Sequence, residues 1–227
     1  MTWIPEAATE KPAPAASEPA GSAEPEPAEC TPAAPAPVIT FSAWSGTGKT
    51  TVIEQLVLLF KQKGLRVAVI KHDAHEFEID REGKDSWRFS KAGADMTILS
   101  SQQKTALIEQ RSLSLSQVLS MVHDVDLILV EGYNGLLTGF SQDPGTADSV
   151  AAVSEPGDFP ESQRQFLRIG LRRNAAGKDF RTVPSDCTAL MSDTPVQGLP
   201  AGIPVFDLND IRGLAGFLLD RLHLSES

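Results

Sequence analysis

Cysteine is scarce in this chain. Of 227 residues only Cys30 and Cys187 carry a thiol, far apart in sequence. Such a pair forms neither a disulfide framework nor a metal-ligand spacing, and it suits a reducing, cytoplasmic setting. Long hydrophobic runs are missing as well: no stretch of eighteen apolar residues occurs, so no membrane-spanning helix is expected. Positive charge is thin, with 20 Lys and Arg against 30 Asp and Glu for a net charge of −10. That balance argues against general nucleic-acid binding, which wants a basic face. The start has no basic segment followed by an apolar one, so it does not resemble a secretory signal, and it is too acidic for a transit peptide. No internal repeat is present.

What the first 37 residues do have is nine of the sixteen prolines, six glutamates, one lysine and much alanine. Such a composition buries little and cannot offset its ordering entropy, so a disordered arm over residues 1–37 is expected. The arm carries −5, one lysine against six glutamates, and leaves −5 for the rest. Residues 38–224, roughly 190 in all, suffice for one α/β domain with a substantial core.

The most informative stretch is Ala43-Trp44-Ser45-Gly46-Thr47-Gly48-Lys49-Thr50. It follows the apolar run Val38–Phe41 and precedes an amphipathic segment from Thr51 to Lys63. Strand, glycine-bearing turn, Lys-Thr and helix is the layout of a P-loop. Glycines let successive backbone N–H groups turn inward on an anion, the lysine reaches the β- and γ-phosphates, and the following hydroxyl holds Mg²⁺. A bare Gly-Lys-Thr arises by chance in roughly one chain in ten of this length, so the flanking strand and helix carry the assignment. Ala43 stands where the full pattern has glycine.

Downstream, Arg66–Ile70 predicts a buried parallel strand and completes a βαβ unit. It ends in Lys71-His72-Asp73-Ala74-His75-Glu76, polar groups at the carboxyl end of a strand, where α/β sheets gather ligands. The two histidines leave open metal ligation and a plain solvated loop. A short helix is expected over Trp87–Ala92, and a hairpin from Met96–Leu99 and Thr105–Ile108. Ser114 is expected to cap a helix running to Val122.

Asp126-Leu127-Ile128-Leu129-Val130-Glu131-Gly132 predicts a central strand with an acid at its carboxyl end. A P-loop protein needs a carboxylate there to orient the Mg²⁺ shell, so Glu131 is the candidate; an acid capping the next turn is the alternative. Residues 133–163 have the composition of a long mobile loop, with a short strand at 150–153. Phe166–Leu171, Thr188–Met191 and Val205–Phe206 follow as strands, and a last helix starts near Asn209 or Asp210. Arg164, Arg168, Arg172, Arg173 and Arg181 form either a solvated face or a surface for an anionic partner. No arginine finger tied to the loop is evident in the sequence.

Taken together, Ala-Trp-Ser-Gly-Thr-Gly-Lys-Thr-Thr, Ile-Lys-His-Asp-Ala-His, Gly-Lys-Asp-Ser-Trp and Asp-Leu-Ile-Leu-Val-Glu-Gly-Tyr resemble the molybdopterin-guanine dinucleotide biosynthesis adapter family, MobB. The resemblance runs from Val38 to about Tyr133 and resumes at Phe206–Asp210, and Ala43 belongs to that family's form of the loop. It implies a P-loop NTPase fold, a mostly parallel central sheet flanked by helices with a β-hairpin excursion. It also implies a GTP-binding, usually homodimeric adapter with weak GTPase activity. Its partners would be the molybdenum cofactor guanylyltransferase and other cofactor-biosynthesis proteins, with no nucleic acid or membrane involved. Residue by residue, Ser45, Gly46, Thr47, Gly48, Lys49, Thr50 and Thr51 would hold the phosphates, and Thr50 and Glu131 the Mg²⁺. Lys49 and Asp73 would serve catalysis, Asp73 by orienting water beside the γ-phosphate. Ser192 and Asp193 would meet guanine by position. An Asn-Lys-x-Asp guanine signature is absent, so GTP over ATP rests on the family. Between Tyr133 and Arg173 the chain departs from the family's short basic link and Pro-Lys-Ile strand. The competing readings are an ATP-dependent small-molecule kinase or ligase, with Asp73 as base, and a metal-delivery protein using His72 and His75.

Overall fold

Short runs of Val, Ile and Leu become the strands of a parallel sheet, and the polar turns between them gather at its edges. The computed structural model describes residues 35–72, 77, 79–133, 164–174 and 177–224. Nearly all of the expected arm over residues 1–37, and the expected loop and strand between 134 and 163, lie outside these residues. In chain order the elements are β1 (Val38–Ser42), α1 (Lys49–Gln62), β2 (Val67–Lys71), α2 (Asp85–Lys91), β3 (Met96–Ser100) and β4 (Thr105–Glu109). Then come α3 (Leu115–Ser120), β5 (Leu127–Glu131), β6 (Phe166–Arg172), a 3-10 turn (Pro184–Asp186), β7 (Ala189–Ser192), β8 (Val205–Phe206) and α4 (Ile211–Leu222).

The main sheet has the order β2-β5-β1-β6-β7-β8, and every neighbouring pair is parallel. β3 and β4 form a separate antiparallel hairpin with Ser100 opposite Thr105, as the sequence predicts. β1 is thus a central strand, with β5 on one side and β6 on the other. Register sets the functional end: Phe41 pairs with Glu131 of β5, and Ser42 with Gly170 of β6.

Period-two alternation sends side chains to two cores. Ile39, Phe41, Leu127, Leu129, Leu167, Ile169 and Leu171 face α1 and α4, where they meet Ile53, Leu56, Phe60, Leu214 and Leu218. Val38, Ile70, Ile128 and Val130 face the other way, onto Leu115 and Leu119 of α3 and onto Tyr133. Strands buried on both faces lose the polar alternation of a half-exposed sheet, which is why β5 reads as an apolar run from Leu127 to Val130 and β1, from Val38 to Phe41, as one broken only by the buried Thr40.

Two of the helices announce their starts with side-chain caps. Ser114 accepts from the Gln117 N–H in a capping box with the Gln117 side chain, and Asp210 accepts from the Gly213 N–H. α1 differs: its N-cap is Gly48 at φ 103°, no side chain caps it, and its first turn holds no acid. This left-handed residue starts the helix at Lys49, two residues before the expected Thr51.

Candidate functional site

The loop between β1 and α1 turns on two glycines in the left-handed region, Gly46 at φ 78° and Gly48 at φ 103°. A Cβ on Gly48 would stand 3.1 Å from Arg173 Nη2, in a backbone conformation other residues rarely adopt. Thr47 is buried; its hydroxyl donates to the Trp44 carbonyl at 2.8 Å, so its side chain holds the loop's own turn. Ser45, Gly46, Thr50 and Thr51 are exposed.

Lys49 folds back over this loop and donates from Nζ to the carbonyls of Ala43 at 3.0 Å and Trp44 at 3.1 Å. Partial burial pulls its pKa below the ordinary lysine value; Glu131 opposes that shift, and Arg181 and Lys71 add to it. The start of α1 therefore combines an uncapped helix end, a lysine and further cations nearby. Its dipole calls for negative charge that the first turn of the helix does not supply.

On the β5 side, Thr50 Oγ1 donates to Glu131, with 3.0 and 3.1 Å to the two carboxylate oxygens. Glu131 ends β5 and is in register with Phe41 on one side and Lys71 on the other. The chain turns sharply after it: Gly132 has φ 99°, and a Cβ there would meet the His72 carbonyl at 2.6 Å. The His72 N–H donates to the Glu131 carbonyl at 2.8 Å, and the His72 ring stacks on Tyr133 with centroids 4.2 Å apart. A hydroxyl and a carboxylate meeting at the mouth of a lysine-bearing loop are the donor set a hard divalent cation takes.

The β6 side supplies a cluster that sequence reading did not locate. Arg173 donates from Nε to the Thr47 carbonyl at 3.1 Å. Trp44 Nε1 donates to the Asp179 carbonyl at 2.9 Å, while Lys178 Nζ and Arg181 Cζ lie 4.6 and 5.2 Å from the Trp44 ring. Thr182 Oγ1 donates to Ser42 Oγ. The segment after β6 is thereby fastened along the loop. The sequence does carry a signal for it, two arginines at the carboxyl end of a strand, but not which of them meets the loop.

Ser192 ends β7 and Asp193 follows it. Ser192 is buried, and its hydroxyl accepts from Arg172 Nε at 3.3 Å and Nη2 at 3.2 Å. Asp193 is exposed; its Oδ1 accepts from the Asn174 N–H at 2.8 Å. Asp73 and His75 lie outside the described residues. Lys49, Thr50 and Glu131 are thus brought together, with Asp193 on the far side of β1 from Glu131.

A glycine loop entering an uncapped helix from a central parallel strand, with an acid ending the neighbouring strand, defines a P-loop α/β protein. The family model described as "Molybdopterin guanine dinucleotide synthesis protein B" (MobB) matches residues 38–138. The molybdopterin-guanine dinucleotide biosynthesis adapter protein of Escherichia coli (strain K12) is 32% identical over 192 residues, covering 81% of this chain and 92% of that protein. The Haemophilus influenzae protein of the same description is 38% identical over 101 residues, covering 43% of this chain and 57% of its own. Among solved structures, Bacillus subtilis MobB superposes with a TM-score of 0.57 at 20% identity over 82% of this chain and 97% of its own. The Bacillus stearothermophilus homologue gives 0.52 at 22% identity, over 82% and 98%. The chain belongs to the molybdopterin-guanine dinucleotide biosynthesis adapter family.

Proposed function

We propose that this protein is a cytoplasmic, Mg²⁺- and GTP-binding adapter that assists the guanylyltransferase joining GMP to molybdopterin, with weak GTPase activity of its own. The observation that carries the nucleotide reading is the uncapped start of α1, a lysine-bearing helix end beside the Thr50–Glu131 contact. The residues fit the group: backbone N–H groups from Ser45 to Thr51 and the Lys49 ammonium would hold the phosphates, and Thr50 and Glu131 the Mg²⁺. Mg²⁺, when bound, neutralises charge on the terminal phosphates and so eases their hydrolysis. Asp73 would orient the attacking water. Asp193, exposed and with no hydrogen bond to Oδ2 among the described residues, would take the guanine N–H groups, beside Ser192.

The adapter role is taken from the relatives' names, and the guanylyltransferase partner is what the family resemblance implies. Homodimerisation belongs to the same proposal; Met96, Ile98, Leu99 and Leu107 of the hairpin and Phe89 of α2 are exposed apolar side chains that a second copy would cover. No helix among the described residues is long and apolar enough to cross a membrane. The test is capture of a purified guanylyltransferase on the immobilised protein with Mg²⁺ and GTP. Retention that is lost in Lys49→Ala supports the proposal, and retention that ignores both nucleotide and variant contradicts a nucleotide-dependent adapter.

A further inference from the structure

Arg173 differs from the other cations around the loop. Arg172 is saturated: it donates to Ser192, Thr194 and the Pro195 carbonyl, and pairs with Asp179. Lys178 and Arg181 lie against the Trp44 ring. Arg173 spends only Nε, on the Thr47 carbonyl; its two terminal nitrogens have no hydrogen-bond partner, and no carboxylate pairs with it, among the described residues. Nη2 lies beside Gly48, within 3.1 Å of where a Cβ would stand, at the helix end that awaits negative charge. Its backbone is braced on both sides, by the pairing of Arg172 with Ser192 in the sheet and by the Asn174–Asp193 bond. Arg173 is exposed, but its guanidinium is anchored through Nε with its forked end unspent, which makes it a preorganised anion ligand open to a bound phosphate.

The sheet order says which part of the anion it meets. Glu131 ends β5 and Arg173 follows β6, on opposite sides of β1. The Thr50–Glu131 pair marks the cation end, where terminal phosphates belong. Arg173 stands at the other end, next to the Asn174–Asp193 bond. We infer that Arg173 is a nucleotide-binding residue for the phosphates nearest the ribose, which a nucleoside diphosphate and a triphosphate share. It is not an arginine finger on the γ-phosphate. The inference rests on the nucleotide reading above and adds a residue to that site.

The test is calorimetric titration of the full chain and of Arg173→Ala, Arg173→Gln and Arg173→Lys with GDP and with GTP in Mg²⁺. The expected result is that the Ala and Gln variants weaken both nucleotides about tenfold, the scale of one charge-assisted hydrogen bond, with the GTP-to-GDP ratio preserved. The Lys variant, which keeps the charge but not the fork, falls between wild type and the Ala variant. Loss of GTP affinity alone would place Arg173 on the γ-phosphate and overturn the inference. Loss in the Ala variant but not in Gln, which still donates to the Thr47 carbonyl, would reduce Arg173 to a loop brace. Unchanged affinity in all three would overturn it as well. Wild-type protein that binds neither nucleotide sinks the underlying reading before any variant is made.

Discussion

The Thr50 hydroxyl reaches both carboxylate oxygens of Glu131, at 3.0 and 3.1 Å, across 81 residues of chain. The contact exists because β5 lies directly beside β1 and ends level with Phe41, one residue before β1 ends and the loop opens. Glu131→Gln keeps the shape of the side chain and removes its charge. The Mg²⁺ concentration that half-saturates nucleotide binding should rise about tenfold or more, while affinity without Mg²⁺ changes little, because a carboxylate binds a hard cation far better than an amide. A Mg²⁺ titration of the two proteins reads this directly; superimposable curves would remove Glu131 from the cation site.

Lys49 gives a pH dependence of defined sign. Burial lowers its pKa from 10.5 in the folded protein, and a bound polyphosphate favours the charged form. Nucleotide affinity should therefore be flat at neutral pH and fall as pH rises through that lowered value. Stability runs the other way in the same window: unfolded chains still hold the proton there, so stability rises with pH up to 10.5. Lys49→Ala should abolish both the affinity and its alkaline fall, without loss of the folded circular-dichroism signal. Wild-type-like affinity in that variant would reassign the residue.

Gly132 occupies a position that no side chain fits. Its φ of 99° and the His72 carbonyl 2.6 Å from a Cβ predict that Gly132→Ala costs about 2 kcal/mol or more, from left-handed strain together with displaced backbone. Because His72 is bonded to Glu131 through the backbone, the Mg²⁺ titration should shift as well. Urea denaturation and that titration together check the claim; an unaltered midpoint in both would contradict the geometry.

Cys187 is a quiet thiol. It is 6% exposed, and burial pushes its pKa up to about 11. Thiol reagents at neutral pH should leave it unmodified in the native protein and modify it in urea, as peptide mapping by mass spectrometry would show. Unfolded chains begin to lose this proton near pH 9 and folded ones only near 11, so its contribution to stability declines across that interval. Rapid native labelling of Cys187 would show that the segment around it opens.

The parts legible in the sequence are those whose chemistry is local. Val38–Phe41, the two loop glycines and Leu127–Glu131 each carry their own signal, and the hairpin closes on a short polar turn. The start of α1 is two residues earlier than periodicity suggests, because Gly48 in the left-handed region, not a polar cap, begins it. Arg173 was one of five arginines in a basic stretch. Its contact with Thr47 spans 126 residues and depends on β6 lying beside β1, which no local pattern encodes. The same holds for Ser192, which the family resemblance places near guanine and which is buried in the sheet with its hydroxyl taken by Arg172.

The most direct measurement of the central claim is a paired equilibrium titration of the full chain with GTP and ATP, each with and without Mg²⁺. The account predicts binding that Mg²⁺ strengthens and that favours GTP. Preference for ATP would contradict it and turn attention to a kinase or ligase with a separate acceptor, and binding of neither nucleotide would contradict the assignment of the loop itself.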